Sequence, residues 1–280
     1  MAARNPLSLC TMLRTSGSRI VNPKGKTVIL NGAAIGGMLN IENFITGYAG
    51  HEYEHRAQMA SVPALFASLG LNAIRIPFNY RHFIDDLDPG VFKAEGLKWL
   101  DQCVEICGRH NVYVILDLHA APGGQNQDWH CDSGIARAGF WDFKDRQDRA
   151  IRLWEVITSR YAGNPVVAGY NPLNEPSDPT LDTKGRPGTR LLAWYAGVEK
   201  AIRAVDAEHM LFLDENTYSM DFTAFEDSPP LPNTVYSIHD YSKLGFPEIE
   251  QYMGTDAQKQ QVRASFERKV AFMRRAGVPD

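Results

Sequence analysis

At 280 residues, 44% hydrophobic and 22% charged, the chain is long enough for one large domain or two small ones with a sizeable core. A formal net charge of -4 supplies no basic field for phosphates, which argues against nucleic acid and anionic membrane surfaces as partners and suits a neutral substrate. No stretch approaches a membrane span and the N-terminus has no apolar core of signal-peptide length, so a cytoplasmic location is expected.

Residues 1-27 read as an N-terminal extension. Its opening, MAARNPLSLCTMLRTSGSR, carries Arg and Ser but no acid, which fits either a disordered start or a weak organelle-targeting segment. From Val28 onward, short β-branched runs alternate with longer amphipathic stretches, the pattern of repeated βα units around a parallel sheet. Strands are expected at Val28 to Ile35, Ala73 to Pro77, Val112 to Leu118, Val166 to Pro172, Met210 to Leu213 and Val235 to Ile238. Helical spacing falls between or after them, at Ser61 to Ser68, Phe92 to Arg109, Asp145 to Tyr161, Thr189 to Val205 and Asp256 to Arg275. Continuous apolar strands such as VYVILDL imply burial on both faces. A doubly wound sheet is the structural rival, but Gly32, Gly36 and Gly37 do not form its G-x-G-x-x-G turn, which also argues against a nicotinamide- or phosphate-binding enzyme.

Cys10, Cys103, Cys107 and Cys131 follow neither a disulfide framework nor a repeated Cys-x-x-Cys pattern and read as reduced, structural thiols. His119, His130, Cys131 and Asp132 lack a tight tetrahedral spacing, so no metal site is expected. The polar residues that matter lie elsewhere. His119, Asn174, Glu175, His239 and Tyr241 fall at or just beyond the C-terminal ends of different strands, where barrel enzymes assemble their sites. In GYNPLNEPSDP an apolar strand runs out into Asn174-Glu175-Pro176, and the proline is expected to restrict Glu175 to extended backbone, aiming its carboxyl into a cleft. Taken singly, each residue has a structural explanation: Glu175 as a turn carboxylate, Arg75 as an ion-pair partner, the histidines as satisfied buried groups, and Tyr241 as a half-buried ring.

Together, NGAAIGGMLNIENF, AIRIPFNYRHF, VILDLHAAPGGQNQDWH, GYNPLNEPSDP and VYSIHDYS make residues 28-280 resemble glycoside hydrolase family 5, the cellulase-like retaining β-glycosidases, with LHAAPGGQN most similar to the exo-β-1,3-glucanase branch. The resemblance implies an α/β fold, the (β/α)8 TIM barrel, and hydrolysis of β-glucosides or β-glucans without a cofactor. It implies that Glu175 is the acid/base, that Asn174 contacts the sugar 2-hydroxyl, and that Arg75 supports the nucleophile. His119, His239 and Tyr241 would line the subsite of the cleaved sugar. Glu42 would contact sugar hydroxyls, although a helix-entry carboxylate reads equally from the residues. Met38 stands where an aromatic is common. Trp129, with His130, offers a stacking platform for a pyranose, or else a loop anchor.

Retention needs two carboxylates about 5 to 5.5 Å apart. The resemblance places the nucleophile at the end of a seventh strand, and the sequence runs only to RRAGVPD, so an incomplete barrel of about six of eight βα units is expected, with little activity of its own. Glu248, Glu250 and Glu267 do not end strands; Glu215, after the fifth, is the remaining substitute. The other reading is a catalytically incomplete barrel that binds glycans, or that associates through the open sheet edges such a barrel would leave.

Overall fold

The computed structural model describes residues 9-35, 61-133, 136-241 and 251-279. Glu42, Met38, Glu248 and Glu250 lie outside the described residues. The main sheet has six parallel strands: β3 (Gly32–Ala34), β4 (Ala73–Asn79), β7 (Tyr113–Ala120), β8 (Val167–Asn171), β9 (Met210–Asp214) and β10 (Thr234–Ser237). They lie side by side in chain order. A doubly wound sheet reverses its order at a switch point, so this uniform succession is that of a (β/α)8 barrel wall, here with six of its eight units.

The helices return the chain between strands. They are α1, whose described part covers 61-68, α2 (Ala94–Arg109), α3 (Lys144–Tyr161), α4 (Thr189–Val205), one distorted turn α5 (Asn216–Ser219), and α6 (Asp256–Ala276). In α2 the buried residues Gly96, Trp99, Leu100, Cys103, Val104, Cys107 and Gly108 form a single stripe at three- and four-residue spacing that faces the sheet. Both cysteines of that stripe are core groups, and burial pushes the Cys103 thiol up to about 12, which leaves it inert. Against α3, the rings of Phe78, Trp154 and Tyr170 pack together, with Trp154 Nε1 donating to the Pro172 carbonyl at 3.0 Å. Gly169 lets β8 and β9 approach, because a Cβ there would meet the Met210 carbonyl oxygen at 2.3 Å.

Several expectations are corrected. Helix α2 begins at Ala94, not Phe92, because Phe92 pairs with Ile84 in a hairpin of β5 (Ile84–Asp85) and β6 (Asp88–Phe92) that the apolar pattern did not reveal. The first sheet strand is three residues long and exposed, since it lies at the sheet's edge. Part of the expected N-terminal extension is packed against the sheet. A hairpin of β1 (Arg14–Ser16) and β2 (Arg19–Val21) buries Leu13 and Val21. Its neighbour Thr11 N–H donates to the Tyr113 hydroxyl, and Thr15 N–H to Asn233 Oδ1. Both partners sit at N-terminal strand ends, so the hairpin covers the bottom of the sheet, opposite the site. At the other end of the chain, α6 closes on Gly277, whose left-handed φ of 65° suits glycine. The chain then returns to the sheet, where the Pro279 carbonyl accepts the Tyr236 N–H of β10 at 3.0 Å.

Candidate active site

Above the C-terminal strand ends, side chains from β4, β7, β9 and the segments after β8 and β10 converge on Glu175. Its carboxyl is almost fully buried, with 6% of the residue exposed. Oε1 takes hydrogen bonds from His239 Nδ1 at 2.5 Å and the Tyr241 hydroxyl at 2.7 Å, and Oε2 lies 3.0 Å from His130 Nε2. Burial alone pushes this carboxyl up, but the hydrogen bonds from His130, His239 and Tyr241 and the His239 charge together hold it well below the usual carboxylate range. Glu175 therefore rests ionised in this arrangement, whereas the acid role asks for a proton at rest.

The expected extended backbone at Glu175 is overturned. Its φ is +46°, in the left-handed region that a side-chain-bearing residue enters at a cost of about 1–2 kcal/mol. Hydrogen bonds from distant elements override the local effect of Pro176. Glu175 N–H donates to Asp214 Oδ2 at 2.9 Å, and its carbonyl accepts from Asn126 Nδ2 at 2.8 Å. Gln125 Nε2 holds the Asn174 carbonyl at 2.8 Å, and the Gln125 carbonyl takes the Ser177 N–H at 3.0 Å. The side chain is aimed by this clamp from the loop after β7 and from the end of β9.

Beneath Glu175 lies a polar row. Arg75 donates to Asn171 Oδ1 at 2.6 Å and to Asn174 Oδ1 at 2.8 Å, and pairs with Asp117 at 3.2 Å. His119 Nδ1 is 2.8 Å from Asp117 Oδ2, so the ring directs Nε2 towards Asn174 Nδ2, 3.4 Å away. Asn174 is wholly buried in this network. Of the expected residues, the fold thus gathers Arg75, His119, Asn174, Glu175, His239 and Tyr241. Trp129 is at the rim, 54% exposed, with its ring edge-on to His130 at 6.0 Å. His130 itself turns inward to Glu175, a contact the stacking reading missed.

Asp117, Asp214, Asn171, Gln125 and Asn126 also escaped sequence reasoning. A signal existed for the first three: each is a polar residue in or ending an apolar strand, and Asp117 shares a face with His119 by the two-residue period. The expected carbohydrate-binding Glu42 lies outside the described residues. The rings of His119 and His130 meet 5.9 Å apart, but Cys131 and Asp132 are committed elsewhere: the Cys131 thiol donates to main-chain oxygens of Asn126 and Asp128, and Asp132 pairs with Arg81.

Glu215 does not face a cleft. It is completely buried, near Asp221, and neither carboxylate oxygen has a hydrogen-bond partner among the described residues. Burial, reinforced by the charge of Asp221, pushes its carboxyl well above the ordinary 4.5. The fold holds it protonated where the unfolded chain ionises it, so its contribution is whole below pH 4.5 and is lost as pH rises towards the folded value. Glu215→Met is expected to stabilise the protein by about 1–3 kcal/mol at pH 8 and much less at pH 4.5, read from urea unfolding midpoints. An equal effect at both pH values would mean that Glu215 is ionised in the fold.

A parallel barrel wall carrying a buried, histidine-bound glutamate at its C-terminal face has its polar cluster at the face where barrel enzymes build their sites. Residues 28–280 match the model of Cellulase (glycosyl hydrolase family 5), and the chain belongs to that family. It is 48% identical over 290 residues to a β-xylosidase of Phanerodontia chrysosporium, covering 95% of this chain and 60% of the relative. A glucan 1,3-β-glucosidase of Candida oleophila is 39% identical over 126 residues, 42% of this chain and 28% of the relative. The β-glucanase of Saccharophagus degradans in complex with cellotetraose shares the fold, with a TM-score of 0.68 at 20% identity over 95% of this chain and 70% of that one. The chain therefore spans about three fifths of the length of the xylosidase it matches.

Proposed function

We propose that this chain carries the acid/base half of a retaining β-glycosidase acting on β-linked glucosides or glucans, with Glu175 protonating the leaving oxygen and later activating water. The observation that supports it is the convergence on Glu175 of His239, Tyr241 and His130, with Arg75, Asn174 and His119 directly below. The -4 net charge suits a neutral sugar.

The attacking carboxylate is a separate matter. Asp117 and Asp214, the other two carboxylates of the cluster, are fully buried and committed to Arg75, His119, Asn171 and His239. A second carboxylate at about 5 Å would raise the Glu175 pKa by like-charge repulsion, so that Glu175 retains the proton its acid role requires. The lowered pKa of Glu175, with no such neighbour among the described residues, favours a second reading, glycan binding with slow turnover.

The 280-residue protein is expected to bind gluco-oligosaccharides by calorimetry while hydrolysing aryl β-glucosides slowly. Because the relative with 48% identity is named a β-xylosidase, an aryl β-xyloside and xylo-oligosaccharides belong in the same series. Rapid turnover abolished by Glu175→Gln would place the nucleophile within these residues. Absence of both binding and turnover would sink the reading.

A further inference from the structure

Asp214 ends β9 with no solvent exposure, yet its carboxylate serves three neighbours. Oδ1 accepts from Asn171 Nδ2 at 3.1 Å. Oδ2 accepts the Glu175 N–H at 2.9 Å and lies 3.2 Å from His239 Nε2. The other nitrogen of that ring, Nδ1, is the one 2.5 Å from Glu175 Oε1. His239 therefore stands between two carboxylates, one at each ring nitrogen.

We propose that Asp214 is the positioning residue of Glu175: one oxygen pins the left-handed main chain of Glu175 and, through His239, orients the hydrogen bond that the Glu175 carboxyl receives. Its catalytic meaning rests on reading Glu175 as the acid/base, but the positioning itself is a property of this geometry. Asn171 leaves Asp214 little freedom to rotate, since the same amide nitrogen also donates to the Phe212 carbonyl at 2.7 Å. Both atoms that Asp214 Oδ2 binds belong to segments after strand ends, where the chain has no sheet bonds to set its path. A buried carboxylate at the end of a central strand supplies the fixed point that those segments lack.

The charge of Asp214 acts on His239 as well as its shape. Burial of the ring disfavours its charged form, but Asp214 and the Glu175 hydrogen bond outweigh this and raise the imidazole above its ordinary 6.5. The other groups around the ring are known. Arg75 opposes the shift from 4.0 Å beyond Asp214 Oδ2; the Tyr241 hydroxyl shares Glu175 Oε1, and His130 occupies Oε2. Lys269 of α6 sits 3.5 Å from the His239 main-chain oxygen and pairs with Asp240. A merely structural Asp214 would be replaceable by asparagine, which keeps an acceptor for the Glu175 N–H, without altering how His239 titrates.

The experiment is a nitrogen-detected NMR titration of the His239 ring in the 280-residue protein between about pH 5 and 8, in wild type and Asp214→Asn. The expected wild-type ring carries protons on both nitrogens at pH 6, and Asp214→Asn lowers its midpoint by about one pH unit or more. An unchanged midpoint in an Asp214→Asn protein of native circular dichroism overturns the proposal. If that variant does not fold, the wild type decides alone: a ring midpoint at or below the ordinary 6.5 overturns the proposal and a midpoint above it supports it. A parallel Glu175→Gln background separates the two ideas, because the shift caused by Asp214→Asn is expected there too, even if sugar binding and turnover refute the role of Glu175.

Discussion

Arg75→Ala is expected to destabilise the fold by about 3 kcal/mol, since it removes the cation from a carboxylate that has no access to water. Asp117 has no exposure, and Arg75 lies 3.2 Å from its Oδ2, the oxygen that also faces His119. The same guanidinium ties Asn171 to Asn174 and so links the end of β8 to the residue before Glu175. Because the Arg75 side chain is 23% exposed, water entering the vacated space offsets part of the loss, which keeps the expected value at the low end of the range for broken buried pairs. Arg75→Lys should restore only part of the stability, as an ammonium cannot reach Asp117, Asn171 and Asn174 with a planar fork. The decisive variant is Arg75→Ala combined with Asp117→Asn, which removes the orphaned charge. Urea unfolding should find the double variant more stable than Arg75→Ala alone; a simple sum of two losses would rule out the buried-charge explanation.

Asp178→Ala should destabilise by about 2–4 kcal/mol through the loss of a helix cap and several buried hydrogen bonds. Helix α4 has Gly188 at its N-cap position and no side-chain cap of its own. Asp178, wholly buried in sequence-distant contact with it, accepts the Arg190 N–H at 2.7 Å and the Leu191 N–H at 3.2 Å, and also takes Thr180 N–H and Arg190 Nε at 3.0 Å. Little of the effect comes from the charge pair, because the Arg190 side chain is 36% exposed and screened. The main chain of Asp178 separately fastens the segment leaving Glu175 to the segment leaving β9, its N–H donating to Asn216 Oδ1 at 2.7 Å and its carbonyl accepting from Asn216 Nδ2 at 3.0 Å, and these bonds remain in the alanine variant. Thermal unfolding of Asp178→Ala and Asp178→Asn tests the account, with asparagine retaining part of the cap. A loss below about 1 kcal/mol in the alanine variant would show that the loop finds another cap.

The stability of the Glu175–His239 pair depends on pH in a defined window. Glu175 is held below its ordinary 4.5, so its contribution is complete above that value and is lost as pH falls through the folded one. His239 is held above 6.5, so its contribution is complete below that value and is lost as pH rises through the folded one. The pair therefore contributes most between those ordinary values. The buried Glu215 weakens the fold across the same range as pH rises, and Glu215→Met separates the two effects.

Local pattern was enough for most of the architecture. Thr189–Val205 falls where its amphipathic spacing placed it, and the six parallel strands occur in the order in which their apolar runs appear. Burial of a stripe or of both strand faces leaves a periodic trace in the residues themselves. The same trace missed the β5–β6 hairpin, where Asp88 to Phe92 has no apolar alternation and five-residue exposure is nearly complete. It also missed the β1–β2 hairpin, because Leu13 is buried by tertiary packing with no repeating neighbour.

Adjacent residues carry the succession of βα units, Arg75 within the second strand, and His119, Asn174, Glu175, His239 and Tyr241 at or beyond strand ends, since period and polarity are local properties. The left-handed backbone of Glu175, its resting ionisation, the inward turn of His130, the buried state of Glu215 and the place of Asp214 beneath the site arise only in the folded chain. Each of these depends on a hydrogen bond or a burial made by residues far apart in the chain: Asp214 to Glu175, His239 to both, and Gln125 to Asn174. Such contacts act through direction and dielectric, and neither is written in the spacing of a single segment.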